Sequence, residues 1–347
     1  MELITQTTDF YLNTETAVAI GKFDGVHIGH RRLLDELAEQ QRKGLKTCVF
    51  TFDPSPAVFF ARQKGLPPQK EVTTAEEKRA LFERMGIDFL VEFPMNEETA
   101  ATEPETFVRE ILGGRLGAVC IAAGEDLSFG AGGRGDLALL EKVAGELGIE
   151  VRKVEKVLTL AEGREQEVSS TLIRRLLDPE ALPTEEGAAS EEAAAPVAGP
   201  ASGEGTEESY KERFQAACEL LGGGYPVIGT VVHGRRLGRQ LGFPTINLEA
   251  PEEKLLPRNG VYLSEALVRG RTYRGISNVG VKPTVDRDLP RPGIETYLFD
   301  FDEEIYGEEV ELQLRSFVRP EHRFDTVEDL KAQLQRDIAF AKTFTMP

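Results

Sequence analysis

The chain has 347 residues, a length that exceeds one ordinary globular core and favours two domains. Its formal net charge of −18 at pH 7 argues against general binding to nucleic-acid backbones, although a small nucleotide can still occupy a local pocket. Three scattered cysteines, an N-terminus without a signal-peptide pattern and the lack of an apolar run of roughly 20 residues predict a cytoplasmic protein with no membrane association.

The first half of the chain alternates between strand-like and helix-like segments. The strand patterns lie at 16–21, 45–53, 87–93 and 117–124, and the helix patterns lie at 31–44, 75–86 and 104–112. This alternation predicts a Rossmann-like α/β domain over 1–178, with a parallel sheet covered by helices on both faces. Ligands of such sheets bind beyond the carboxyl ends of the strands.

The composition changes at 179–208, which is rich in Ala and Glu and has no aromatic or basic residue. This segment predicts a disordered acidic linker. The domain that follows, 209–347, begins and ends with helix patterns at 209–224 and 326–344. Between them lie closely spaced strand patterns at 226–234, 259–270, 271–280, 293–302 and 308–318. We therefore expect a small closed β-barrel with a C-terminal helix.

The segment 21–30, GKFDGVHIGH, joins the first strand pattern to the first helix pattern. His27 and His30 are three residues apart, which places both rings on one side of the helix start. The free N–H groups of a helix N-terminus favour phosphate, and imidazoles there can donate hydrogen bonds to it. Two alternatives are ordinary histidines near a turn, and a metal site, for which no third ligand lies nearby in sequence.

Three further segments carry polar groups suited to nucleotide chemistry. Ser169 and Ser170 open a helix pattern in which Arg174 could neutralise phosphates, although plain helix capping is the alternative. Thr245 and Asn247 lie on one face of an extended segment and offer two oxygen ligands suited to Mg²⁺. Glu295 alternates with Tyr297 and Phe299, and a partly shielded carboxylate can accept a proton from an attacking alcohol. An exposed strand Glu is the alternative.

At these motifs the chain resembles bacterial bifunctional riboflavin kinase/FMN adenylyltransferases, also called prokaryotic FAD synthetases. In the N-terminal half the resemblance rests on Gly21–His30 and on Ser169–Arg174. The run 124–130 with Gly135 and Asp136 is similar to the flavin-side loop of that family, but Leu127 and Ser128 depart from its usual pattern. Ser55, between two prolines, is a further departure.

In the C-terminal half the resemblance rests on 234–247, 278–284, Glu295, 306–307 and 319–324, which occur in the family's order. Ile246 stands where the family usually has Ala. The similarity covers nearly the whole chain except the linker segment, which resembles an insertion in a normally short connection.

The resemblance implies two ATP-dependent reactions with Mg²⁺: phosphorylation of riboflavin to FMN in the barrel domain and adenylylation of FMN to FAD in the α/β domain. The implied catalytic residues are His27, His30, Ser169, Ser170, Arg174 and Glu295. The implied ATP-binding residues are Gly21, Phe23, Asp24, Gly25, Thr171, Gly234, Gly238, Gly242, Pro244, Thr245 and Asn247, of which Thr245 and Asn247 would hold the metal. The implied flavin-binding residues are Asp126, Phe129, Asn278 and Arg319.

Two other functions fit parts of these patterns. The N-terminal motif also occurs in nucleotidyltransferases that act on other phosphorylated acceptors, although the barrel motifs argue against that function. A non-catalytic flavin-binding protein could retain the fold, although the intact polar residues argue against it. The expected ligands are riboflavin, FMN, FAD and ATP, with no nucleic acid.

Overall fold

The computed structural model describes residues 1–161, 163–177, 207–234, 242–282 and 291–344. The chain divides into two compact units, the first formed by Met1–Leu160 and Glu165–Ser169 and the second by Ala161–Arg164 and Ser170–Pro347. The predicted linker at 179–208 lies mostly outside the described residues. Its last two residues are the exception, because Glu207 and Glu208 form the first turn of a helix, where acidic side chains are favourable.

The first unit contains a parallel six-stranded sheet in the order β1-β4-β3-β2-β5-β6. Its strands are β1 Glu2–Thr5, β2 Thr16–Ile20, β3 Lys46–Asp53, β4 Phe89–Pro94, β5 Ala118–Gly124 and β6 Glu150–Val154. Its helices are α1 Ile28–Arg42, α2 Pro56–Gln63, α3 Ala75–Arg84, α4 Glu97–Ala100, α5 Pro104–Thr106 and α6 Leu137–Glu146. A π-helical segment, Phe107–Arg115, continues α5, where the sequence predicts an ordinary helix.

Both faces of this sheet are buried. Val18 and Ile20 of β2 point into one apolar cluster with the π-helical segment and α6, whereas Ala17 and Ala19 point into another with α1 and α3. Strands covered on both faces are continuous apolar runs, which is why the sequence pattern predicts a parallel α/β sheet correctly. The carboxyl ends of these strands form the edge from which the loop to α1 begins.

The second unit contains a closed antiparallel barrel in the order β10-β13-β12-β11-β14-β9. Its strands are β9 Tyr225–Val232, β10 Ile246–Glu249, β11 Gly260–Val268, β12 Arg271–Lys282, β13 Arg291–Leu298 and β14 Glu309–Arg319. The described part of this unit has three helices: α7 Ser170–Leu177, α8 Glu207–Leu221 and α9 Val327–Thr343. The predicted barrel and C-terminal helix are confirmed. A two-stranded hairpin, β7 Leu158–Ala161 and β8 Arg164–Glu167, completes the described strands.

Among the helices that the structure describes, none is long and apolar enough to span a membrane. The three cysteines, Cys48, Cys120 and Cys218, are free thiols and buried.

Candidate active sites

The first candidate site lies where the loop after β2 enters α1. His27 is the N-cap residue of α1, and its Nδ1 accepts a hydrogen bond from the His30 amide at 3.3 Å. The two imidazole rings stack with centroids 3.7 Å apart and an angle of 19° between their planes. The prediction that both rings lie on one side of the helix start is therefore confirmed.

Close packing explains two of the residue types around this histidine pair. A Cβ atom on Gly29 would lie 3.1 Å from the His27 ring, so only glycine leaves the ring in place without a shift. The Phe23 ring lies 5.2 Å from His30, and Phe23 is fully buried. Phe23 therefore supports His30 from the core, and its role in ATP binding stays a prediction. Gly21 packs against the same ring.

Asp24 and Gly25 bind protein groups in this structure. Asp24 Oδ1 accepts a hydrogen bond from the Thr73 amide at 3.0 Å, and the Gly25 amide donates to Thr73 Oγ1 at 2.7 Å. Both bonds are buried and fix the loop to the start of α3. Asp24 and Gly25 thus anchor the loop, and their roles in ATP binding stay predictions. The positive φ of 91° at Gly25 still requires glycine.

The electrostatic surroundings keep both imidazoles neutral. Burial lowers the pKa of His27 from 6.5 to about 4, and the nearby Asp126 carboxylate opposes this shift. Burial, followed by the charges of His27 and Lys78, holds the pKa of His30 well below its usual value. Neutral imidazoles donate and accept hydrogen bonds but bring no positive charge to a phosphate.

The predicted flavin-side loop after β5 has one residue near the histidines and one in the core. Asp126 is close enough to His27 to influence its pKa. Phe129 is 5% exposed and its ring packs 5.5 Å from Phe107, while Gly135 leaves no room for a Cβ beside it. The ring of Phe129 thus packs in the core, and the flavin-binding role of this residue stays a prediction.

The segment that contains Ser169 approaches the histidine motif. A Cβ atom on Gly29 would lie 3.7 Å from the carbonyl oxygen of Val168, the residue directly before Ser169. Ser169 is grouped with the first unit, whereas α7, which carries Ser170, Thr171 and Arg174, is grouped with the second. The catalytic roles of these four residues stay predictions.

The second candidate site is a cavity of about 510 Å³ in the barrel unit. Glu295 lies in its wall at the middle of β13, and its cross-strand partners are Asn247 of β10 and Asn278 of β12. The predicted neighbour Tyr297 shares the cavity, but Phe299 lies past the strand end and packs in an apolar cluster. A flat aromatic ligand with a polar tail suits a cavity of this size and lining.

Thr245 separates this cavity from a smaller neighbouring one of about 240 Å³, because it lines both. Its Oγ1 donates a hydrogen bond to Glu295 Oε1 at 2.6 Å. Asn247 and Pro244 line the smaller cavity, and so does Tyr306, whose ring stacks on His233 with centroids 3.9 Å apart. The two cavities thus meet beside the Glu295 carboxylate.

Glycine is required at one further predicted ATP-binding position. A Cβ atom on Gly234 would overlap the Asn247 side-chain amide, so glycine lets that amide reach the cavity wall. Gly242 adopts a positive φ of 87°. Gly238 lies outside the described residues.

Arg319 and Asn278 line the larger cavity but already have protein partners. The Arg319 guanidinium donates to both carboxylate oxygens of Asp337 on α9, with Nη2 to Oδ2 at 2.7 Å. Asn278 Nδ2 donates to Glu321 Oε1 at 2.8 Å. Arg319 therefore anchors α9 to the barrel, and the flavin-binding roles of Arg319 and Asn278 stay predictions.

Sequence reasoning missed the contribution of α9 to the cavity. The amphipathic pattern identifies the helix, but only the fold shows that Leu330, Leu334 and Ile338 line the ligand cavity. Among the described residues no group of three or more His, Cys, Asp or Glu side chains could hold a metal ion.

The first unit has a candidate ligand site at a strand-to-helix junction, and the second is a barrel with a carboxylate beside two cavities. These features are typical of two-unit transferases that use nucleotides. Family models identify both halves: one described as FAD synthetase matches residues 10–172, and one described as riboflavin kinase matches residues 221–345.

Known proteins match over almost the full length. A bifunctional riboflavin kinase/FMN adenylyltransferase from Listeria monocytogenes is 33% identical over 97% of this chain and 95% of its own length. The protein of the same name from Escherichia coli K12 is 32% identical over 94% and 92%. A Streptococcus pneumoniae crystal structure, described as a macrolide-efflux protein, aligns over 99% of both chains with a TM-score of 0.75 and 26% identity. The present chain belongs to the family of bifunctional riboflavin kinase/FMN adenylyltransferases.

Proposed function

We propose that this protein makes FAD from riboflavin in two ATP-dependent steps, with riboflavin kinase chemistry in the barrel and FMN adenylyltransferase chemistry in the α/β unit. The observation that carries the kinase assignment is Glu295 in a cavity wall, hydrogen-bonded to the threonine that borders a second cavity. Riboflavin would occupy the larger cavity and the phosphates of ATP the smaller one.

In the kinase step, the terminal hydroxyl of the ribityl chain attacks the γ-phosphorus of ATP. The new O–P bond forms as the bond to the β,γ-bridging oxygen breaks, so the products are FMN and ADP. The hydroxyl proton passes to the Glu295 carboxylate. Thr245 holds Glu295 by its hydrogen bond, and Tyr297 in the same wall shields the carboxylate from water.

In the adenylylation step, a phosphate oxygen of FMN attacks the α-phosphorus of ATP. The bond to the α,β-bridging oxygen breaks, giving FAD and pyrophosphate. The attacking phosphate is already ionised at pH 7, so this step needs alignment and charge neutralisation more than a base. His27 and His30 donate hydrogen bonds to the phosphates as neutral imidazoles. The family resemblance adds Ser169, Ser170 and Arg174 as proposed catalytic residues of this step.

The metal is proposed to be Mg²⁺, bound with ATP. Thr245 and Asn247 present neutral oxygen atoms to one cavity, and oxygen ligands of this kind suit a hard divalent cation. Bound there, the ion would neutralise phosphate charge. The residues fit such a site without forming an all-protein cage, which is usual for Mg²⁺ held partly by nucleotide phosphates.

The proposal also covers the cellular location of the protein and one class of partner. The protein is placed in the cytoplasm, which supplies ATP and keeps thiols such as the three buried cysteines reduced. Nucleic acid is not expected as a partner, because the net charge of −18 disfavours phosphate backbones.

The test is incubation with riboflavin, ATP and Mg²⁺, followed by chromatographic separation of the flavins. FMN should appear first and FAD should follow, and other phosphorylated acceptors supplied with ATP, such as glycerol 3-phosphate, should give no adenylylated product. Binding of riboflavin and ATP without either product would instead support a non-catalytic flavin-binding protein.

A further inference from the structure

A buried lysine lies behind the histidine pair of the first unit. Lys78 sits on α3, one turn before Phe82, and only 4% of it is exposed. Phe82 packs edge-on against Phe23 with ring centroids 5.5 Å apart, and Phe23 in turn contacts His30. Residues four apart share one face of a helix, so Lys78 lies on the α3 face that is turned toward the histidine site.

The start of α3 is fixed to the loop that carries the histidines. Thr73 makes the two buried hydrogen bonds to Asp24 and Gly25 described above. The next residue, Thr74, forms a reciprocal capping box with Glu77, which orders the first turn of the helix. The position of Lys78 is therefore fixed by the ordered start of α3 and by the hydrogen bonds of Thr73 to the histidine loop.

The ammonium group of Lys78 has no protein anion to neutralise it. No described residue forms an ion pair or hydrogen bond with it, whereas the neighbouring Arg79 pairs with the buried Glu92. Its charge instead acts on His30 and helps to hold that imidazole in the neutral form. The Lys78 side chain is largely shielded from water, and an anionic ligand beside its ammonium group would supply a counter-charge.

A second unsatisfied group lies beside it. His30 Nδ1 is buried and has no hydrogen-bond partner in the described structure. The Lys78 ammonium group and the His30 imidazole thus lie in the same region. Together they offer hydrogen-bond donors of the kind that bind an oxyanion.

We propose that Lys78 is a phosphate-binding residue of the adenylylation site, where it supplies positive charge that the two histidines do not. The ligand class is the triphosphate of the nucleotide, or the pyrophosphate that leaves it. This inference rests on the proposed adenylyltransferase function and adds a residue to its site.

The test compares Lys78→Met, which keeps the side-chain length, with Lys78→Arg, which keeps the charge. In adenylylation of supplied FMN, Lys78→Met should raise the KM for ATP about tenfold or more, and Lys78→Arg should recover part of the loss. The kinase reaction of the same variants is the internal control and should not change. Lys142→Met, on the exposed surface of α6, is the matched lysine control.

A structural role would give a different pattern. Met in place of a buried unpaired cation should leave the melting temperature unchanged or raise it, so a lowered melting temperature with an unchanged KM for ATP would overturn the proposal. Calorimetric titration with inorganic pyrophosphate measures binding without turnover and should show at least about tenfold weaker binding to Lys78→Met. Equal affinity of pyrophosphate for both proteins would also overturn it. If the wild type makes no FAD, the proposed function fails, while the pyrophosphate titration still decides the role of Lys78.

Discussion

The two stacked imidazoles in the first unit predict how its stability changes with pH. The pKa of His27 is about 4 in the folded state and near 6.5 when unfolded, so the unfolded chain binds more protons between these values. The protonation of His27 therefore lowers the free energy of unfolding as the pH falls from about 6.5 toward about 4, and has little effect at higher pH. From about pH 7 to about pH 5 the loss due to His27 should be on the order of 2 kcal/mol.

Urea unfolding of wild type and His27→Gln at both pH values measures this loss. The variant should lose less stability on acidification than the wild type, because glutamine binds no proton. His233→Gln, at an exposed position in the second unit, controls for loss of an ordinary histidine. Identical pH dependence in wild type and His27→Gln would contradict the neutral buried imidazole.

Gly234→Ala tests the fit between a glycine and the Asn247 amide in the second unit. The added methyl group would overlap that amide and push it away from the cavity wall. In the kinase reaction the KM for ATP should rise roughly tenfold, with a smaller effect on the KM for riboflavin. Gly145→Ala, where the new Cβ meets nothing within 4 Å, is the control and should leave both KM values unchanged.

At the scale of single residues, the sequence predicts polar pairs better than it predicts burial. The strand-to-helix junction brings His27 close to His30. The barrel strands bring Thr245 close to Glu295. Phe129 belongs to a motif expected to bind flavin, yet its ring is buried in the core. A motif records which residue types occur together, and it does not distinguish those that touch ligand from those that support the ones that do.

A buried ion pair contributes to the attachment of α9 to the barrel. Arg319 and Asp337 have side chains only 13% and 5% exposed, and Gln333 also donates to Asp337. Asp337→Asn would leave the guanidinium buried without its counter-charge. The free energy of unfolding of the second unit should fall by about 3 kcal/mol.

Thermal unfolding followed in the second unit checks this loss. Riboflavin binding should weaken as well, because Asp337 and its helix line the larger cavity. The surface pair of Arg269 and Glu303 gives the comparison: Glu303→Gln removes an ion pair exposed to water and should have a much smaller effect on unfolding. An equal effect of the two substitutions would contradict the anchoring role.

At the scale of elements, the sequence pattern predicts long buried strands and misses short or polar ones. The segments at 16–21 and 117–124 are recognisable because both faces of β2 and β5 are apolar. The edge strand β6, Glu150–Val154, has three charged residues and only partly buried or exposed side chains. The β7–β8 hairpin is similarly exposed. Without a buried face, a short strand has no hydrophobic period to detect.

At the scale of the whole molecule, both fold classes are predictable because each depends on a repeated pattern: strand–helix alternation in one half and closely spaced strands in the other. The division of the chain is less predictable. Contacts place α7 in the second unit, although the sequence groups it with the first domain through its motif. The domain boundaries at 178 and 209 stay predictions.

Two separate sites, one in each unit, are expected to carry out the two reactions. The most direct measurement follows FMN and FAD by chromatography in Glu295→Gln and His30→Gln, with Glu253→Gln on the exposed surface as control. Glu295→Gln should make no FMN from riboflavin but should still convert supplied FMN to FAD, whereas His30→Gln should accumulate FMN and make little FAD. Loss of both reactions in either correctly folded variant, or of neither, would contradict the account.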